Sequence, residues 1–144
     1  MNNSRLALAT HILALLAIEN KDEPTTSEYL AHSASTNPVV IRRILGDLRK
    51  AGLVNAQPGA GGGASLARSP EEITLQEIYG AVGDTELFSL GSRKPNPTCI
   101  CGRNLQPVLT NVFEQVEHAV EATLAGISLA QIADEVETRD LQSQ

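Results

Sequence analysis

Tryptophan is absent from this chain, and aromatic residues make up only 3% of it. A core assembled from large rings is thereby excluded. A 42% share of hydrophobic residues in a chain of 144 still allows a real core, built from Leu, Ile, Val and Ala in helices. No apolar run reaches the roughly 18 residues that a membrane span needs. The first twenty residues are partly apolar, but a single Arg5 and the lack of a cleavage site argue against a signal peptide. These absences predict a cytoplasmic protein with no membrane partner. Catalytic groupings are missing too. There is no HExxH, no Ser/His/Asp arrangement and no carboxylate pair in an apolar setting, so the expectation is that the chain is not an enzyme. His11 and His32 sit in helical patterns as core-edge residues, and Glu117 and His118 fall on the outer face of a helix rather than in a ligand set.

Basic charge is scarce as well, and the net charge of −6 counts at first against nucleic acid. Its distribution says more. Residues 1–68 carry seven Lys/Arg against five Asp/Glu, a balance of +2, whereas residues 69–144 carry four against twelve, a balance of −8. A mildly basic N-terminal half beside an acidic C-terminal half fits a DNA-binding head on a non-binding body.

What is present centres on residues 25–68. Asn37 is a preferred N-cap and Pro38 fits the first helical position, where no N–H is needed. Ile41, Ile44, Leu45 and Leu48 then recur at i, i+3, i+4 and i+7 and define one apolar face. Arg42, Arg43, Arg49 and Lys50 fall between them and must point elsewhere, and Gly52 stands where a helix end needs a left-handed residue. A helix over about 4–18 precedes this stretch. Thr25 to Glu28 reads as a capping box for a short second helix with Tyr29, Leu30 and Ala34 inward. A strand over 53–56, a glycine tip at Gly59–Gly63 and a returning strand over 64–67 follow.

Two N-cap signatures, Ser69 to Glu72 and Thr74 to Glu77, lead into a helix with Ile78 and Val82 inward that stops at Gly83. Residues 84–102 lack a period and hold two prolines and both cysteines, as a linker or sensor loop would. The longest helix is expected over 103–125. Its stripe of Leu105, Leu109, Val112, Val116 and Thr123, widened by Phe113, Val120 and Leu124, exceeds what the head needs and suggests pairing with a second copy. Docking of that stripe on the chain's own head is the alternative. Ser128 caps a last helix to about Glu137, with a frayed tail. The predicted fold is mainly α: a winged helix-turn-helix over 1–83 with a small two-stranded wing, a linker over 84–102, and a long C-terminal dimerisation helix with a final helix over 103–144.

Leu48–Val54 (LRKAGLV), the GxGGG tip at Gly59–Gly63, Ser65–Ile78 (SLARSPEEITLQEI) and Pro107–Leu109 (PVL) together resemble the Rrf2 family of bacterial transcriptional regulators, over nearly the whole chain. The resemblance implies a homodimer that binds a palindromic double-stranded operator, with the loop before the long helix as the place where a signal is sensed. The residues of the head agree with this. A groove-reading helix contacts base edges with its first turns while cations hold phosphates. Asn37, Pro38, Val39, Val40, Arg42 and Arg43 lie on those turns, and Arg42 or Arg43 suits guanine or phosphate. Arg49 suits backbone, Thr26 and Ser27 offer hydroxyls at a helix start, and Gly61, Gly62 and Arg68 belong to the wing.

Wings of this family often carry a cation before the glycines and an aromatic after them; here Gln57-Pro58 and Ala64 stand instead, so weaker, shape-based wing contacts are expected. The tip also matches G-x-G-x-x-A, but no helix follows it as a dinucleotide site requires. Iron–sulfur members of the family place three cysteines in the loop. Cys99 and Cys101 are two, and a cluster takes four ligands. No cofactor is expected, and the cysteines remain either a redox pair or inert thiols. The reading from a different class is a winged-helix module that binds protein instead of DNA.

Overall fold

The computed structural model describes residues 4–19, 22–57, 62–83 and 86–144. Among these residues, six helices and one two-stranded antiparallel sheet follow in the order α1 (Ser4–Glu19), α2 (Ser27–Ala34), α3 (Pro38–Lys50), β1 (Val54–Gln57), β2 (Gly63–Leu66), α4 (Leu75–Val82), α5 (Ile100–Ala125) and α6 (Leu129–Gln142).

The apolar face of α3 is covered as its periodicity requires: Ile41 and Leu48 are fully buried, with Ile44 and Leu45 beside them. They meet Ile12 and Leu13 of α1, Leu30 of α2, Leu53, Ile73, and Ile78 of α4 in one core. Each such side chain contributes about 1.5–3 kcal/mol by leaving water. Asn37 caps α3 by accepting from the Val40 N–H at 3.1 Å, and Gly52, with φ of 76°, takes the left-handed position after the helix. Between α2 and α3 the left-handed residue is Ser35, at φ 54°, where glycine would be at ease.

The second helix starts one residue later than its sequence suggests. Thr26, not Thr25, is the N-cap, and its hydroxyl accepts from the Tyr29 N–H. Thr25 is held elsewhere: it is buried, and its backbone exchanges two hydrogen bonds with Ala64 at 2.9 and 2.8 Å. The segment before α2 thereby lies against β2. Gly63 permits this, because a Cβ there would stand 2.4 Å from the Thr25 carbonyl oxygen. Tyr29, expected inward, is exposed, since Leu30 and Ala31 occupy the buried side of so short a helix. The wing register pairs Val54 with Leu66 and Gln57 with Gly63. Gly63 therefore serves close approach, not a positive-φ turn; Gly59 to Gly61 lie outside the described residues.

Ser69 to Glu72 forms only a turn, but Thr74 and Glu77 make a complete capping box for α4, as Ser128 and Gln131 do for α6. The long helix begins at Ile100, not 103, so Cys99 is its N-cap and Cys101 lies in its first turn instead of in the loop. It passes through Pro107 and buries none of its residues fully. Its C-terminal end returns to the head: Leu75 N–H donates to Ile127 O at 2.9 Å and Leu129 N–H to Ile73 O at 2.7 Å. Leu129 then joins the core and Ala133 is buried nearby, so α6 packs with the head and is not part of a separate C-terminal unit with α5. It also runs to Gln142, past the expected end near Glu137, with Arg139 paired to Glu135 at 2.8 Å one turn earlier.

Candidate nucleic-acid interface

Burial of Ile41, Ile44, Leu45 and Leu48 forces the opposite face of α3 outward. Asn37, Val39, Arg42 and Arg43 are exposed there and Pro38 and Val40 half-exposed, all within the first two turns. Val39 keeps 54% of its surface in contact with solvent. Such a group suits contact with a thymine methyl, and a guanidinium suits the O6 and N7 of guanine.

The cations are not equivalent. Arg42 donates to Glu28 on α2 at 2.8 Å, an exposed pair of the kind that contributes little to stability. Arg43 makes no ion pair or hydrogen bond among the described residues and is the freest guanidinium on this face. Arg49 and Lys50 are exposed at the far end of α3, where they complement the helix dipole and can reach phosphate. The acidic residue of α3, Asp47, is paired with Arg5, whose Nε also donates to Val82 O at 3.1 Å. That contact ties α1, α3 and α4 together and offsets a carboxylate that would repel DNA. Ser27 sits in the first turn of α2, beside the Thr26 cap, with the helix N-terminus available to an anion.

In the wing, Gly62 is half-exposed ahead of β2, while Gly61 lies outside the described residues. Arg68 is fully engaged. Its Nη1 donates to both carboxylate oxygens of Glu77 at 3.0 Å and its Nη2 to Glu72 O at 2.8 Å. This bidentate clamp, which no local pattern announces, fastens the end of the wing to α4. Neither strand of the wing contains a Lys or Arg.

Cys99 and Cys101 are free thiols and both exposed. The backbone N–H groups of Gly102 and then of Cys101 bring the Cys99 thiol below its ordinary pKa, favouring the thiolate. Among the described residues no three His, Cys, Asp or Glu side chains converge as a metal site. Two thiols one residue apart supply half of the ligands that an iron–sulfur cluster takes, so the donor set of this chain does not fit one.

Residues 2–135 match the model of the Rrf2 family, described as iron-dependent transcriptional regulators. The HTH-type transcriptional regulator YwnA of Bacillus subtilis is 43% identical over 132 residues, covering 92% of this chain and 96% of its own. A crystal structure of a DNA-binding protein superposes with a TM-score of 0.70 at 40% identity, covering 89% of this chain and 97% of that one. IscR of T. potens has the same fold, with a TM-score of 0.70 at 23% identity, over 96% of this chain and 90% of its own. The family model and YwnA are both described as transcriptional regulators. With a buried-face α3, an antiparallel wing and a long C-terminal helix in the family's arrangement, this chain belongs to the Rrf2 family of winged helix-turn-helix, DNA-binding transcriptional regulators.

Proposed function

We propose that the protein is a cytoplasmic repressor that acts as a homodimer on a palindromic operator, with the first turns of α3 in the major groove of each half-site. The observation that carries this reading is the outward row Asn37, Val39, Arg42 and Arg43, opposite a completely buried apolar face. Val39 and Arg43 contact base edges, Arg42 exchanges Glu28 for DNA, and Arg49, Lys50 and the α2 N-terminus around Thr26 and Ser27 hold phosphates. The wing contributes shape contacts through Gly61 and Gly62, since Arg68 is committed to Glu77.

The dimer reading is supported by α5. Val108, Val112 and Val116 retain between 36% and 58% exposure along one stripe, an apolar surface at near-heptad spacing that the described residues leave partly open. A second α5 crossing it gives an isologous contact and presents two heads to one face of the duplex. No cluster is required. The thiolate-leaning Cys99 supports a redox response in which two Cys99 thiols of a dimer join as a disulfide, a peroxide taking up both electrons and the two protons.

Selection of bound sequences from a random duplex pool tests the whole reading, with affinity followed against salt. An enriched inverted repeat and a steep loss of affinity with rising salt are expected. Recovery of no sequence, with affinity for a protein partner that ignores salt, would establish the interaction-module reading instead.

A further inference from the structure

A cleft of about 260 Å³ lies between residues 89–95 and the first half of α5, away from the DNA-facing row. Leu90, Pro95, Leu105, Leu109 and Phe113 give it an apolar wall, and Arg93 is the charged residue that lines it. Its volume is just below the roughly 300–1,000 Å³ of drug-sized pockets, so it suits a small molecule.

The cleft is held open by specific contacts. Phe88 lies on Phe113 with ring centroids 5.2 Å apart, and the Gln106 amide donates to Arg93 O at 3.5 Å. Arg103 donates to Thr98 O at 3.2 Å, and Thr98 donates through its N–H and its hydroxyl to the Asn96 side chain at 3.0 and 2.8 Å. Asn96 itself rests on α5 so closely that a Cβ at Gly102 would stand 1.9 Å from its carbonyl oxygen. The segment is thus fastened to α5 on both sides of the cleft.

Charge gives the chemistry of the occupant. Residues 69–144 carry a balance of −8, yet the charged residue that lines the cleft is a cation, Arg93, with Lys94 next to it in sequence. Arg93 and Lys94 have no ion pair among the described residues. A positive site in an otherwise acidic region, beside an apolar wall, matches a ligand with one negative end and a compact apolar body.

We propose that this cleft binds a small organic anion, an aryl or alkyl carboxylate, as an effector of the protein. Binding stands on the cleft alone; only its consequence for DNA rests on the operator reading above.

The test uses the full-length protein with methyl-labelled Leu and Val, titrated with 3-phenylpropionate and with the uncharged 3-phenylpropionamide while methyl NMR spectra are recorded. The acid is expected to shift the Leu90, Leu105 and Leu109 methyls and not those of Leu30 or Leu48, with Kd between about 10 μM and about 1 mM for a ligand of this size. Arg93→Gln weakens the acid about tenfold and leaves the amide unchanged; Arg139→Gln, on a distant face, changes neither. Three results would overturn the proposal: no shift at about 10 mM, equal affinity for acid and amide, or an Arg93→Gln protein that binds the acid as before. Shifts seen only in a Val112→Glu monomer would make the cleft a seat for the second copy, which also overturns it. Failure to bind any DNA would sink the operator reading and leave the NMR result standing.

Discussion

The head and the long helix use the same kind of apolar pattern to opposite ends. On α3, residues four and three apart are buried by α1, α2 and α4 of the same chain. On α5, the equivalent rows stay half in water, and no residue is fully covered. Periodicity reports that a face is apolar, not what covers it. In the head, covering comes from elements joined by short turns, at little cost in loop entropy. Along α5, the segment over 86–99 covers part of one side, and a stripe of valines remains. A face covered within the chain and a face left open are therefore distinguishable only after each has been traced to its cover.

Breaking the association surface has the largest expected effect. Val112→Glu places a charge in the middle of the α5 stripe. Sedimentation should show a monomer, and operator affinity should fall about 10²–10⁴-fold as the second head loses its tether. Circular dichroism should keep its helical signal. A dimer that survives this change would move the interface away from α5.

Leu48→Ala attacks the other member of the comparison. Fully buried between helices, it should lose about 2–5 kcal/mol in urea unfolding. Val116→Ala, half-exposed, should cost far less at concentrations where the protein is monomeric. Equal losses would mean that α5 is packed as tightly as the head.

Within the head, Arg43→Gln should weaken the operator by about 1–3 kcal/mol and relax preference at one base pair of each half-site. Glu28→Gln should act oppositely and less, releasing Arg42 from an exposed pair worth about 0.2–1 kcal/mol and strengthening binding to any duplex by a few-fold at most. Filter-binding on specific and scrambled DNA separates the two. The smallest change is Ser35→Gly. It relieves a left-handed non-glycine residue and should raise the unfolding free energy by about 1 kcal/mol, less the entropy that glycine restores to the unfolded chain. A fall in thermal midpoint would show that Ser35 is tolerated without strain.

Where sequence reading succeeded, the signal was local. Asn37-Pro38, Gly52, the Thr74/Glu77 box and Ser128/Gln131 each act within one helical turn, and each is found in place. Its errors trace to contacts between residues distant along the chain. Thr25 looked like a cap because nothing in its neighbourhood reveals the pairing with Ala64. The Arg68–Glu77 clamp and the Arg42–Glu28 pair went unread because their carboxylates lie nine and fourteen positions away along the chain. The start of α5 was placed late because Cys99 offers no side-chain cap to mark it. For the same reason the cleft at Arg93 was invisible: a loop without period has no pattern from which to infer what it leans on.

The return of α6 onto the head gives α5 a mechanical property. It is 26 residues long, about 39 Å at 1.5 Å per residue, and its C-terminal end is pinned by backbone hydrogen bonds to residues 73 and 75. A rod clamped at one end magnifies small rotations: about 5° of tilt carries the opposite tip about 3 Å. In the proposed dimer, two heads matching half-sites about 34 Å apart, one duplex turn, would notice such a displacement. In the proposed dimer, whatever alters the crossing of two such rods changes reach without touching any of the side chains proposed to read bases.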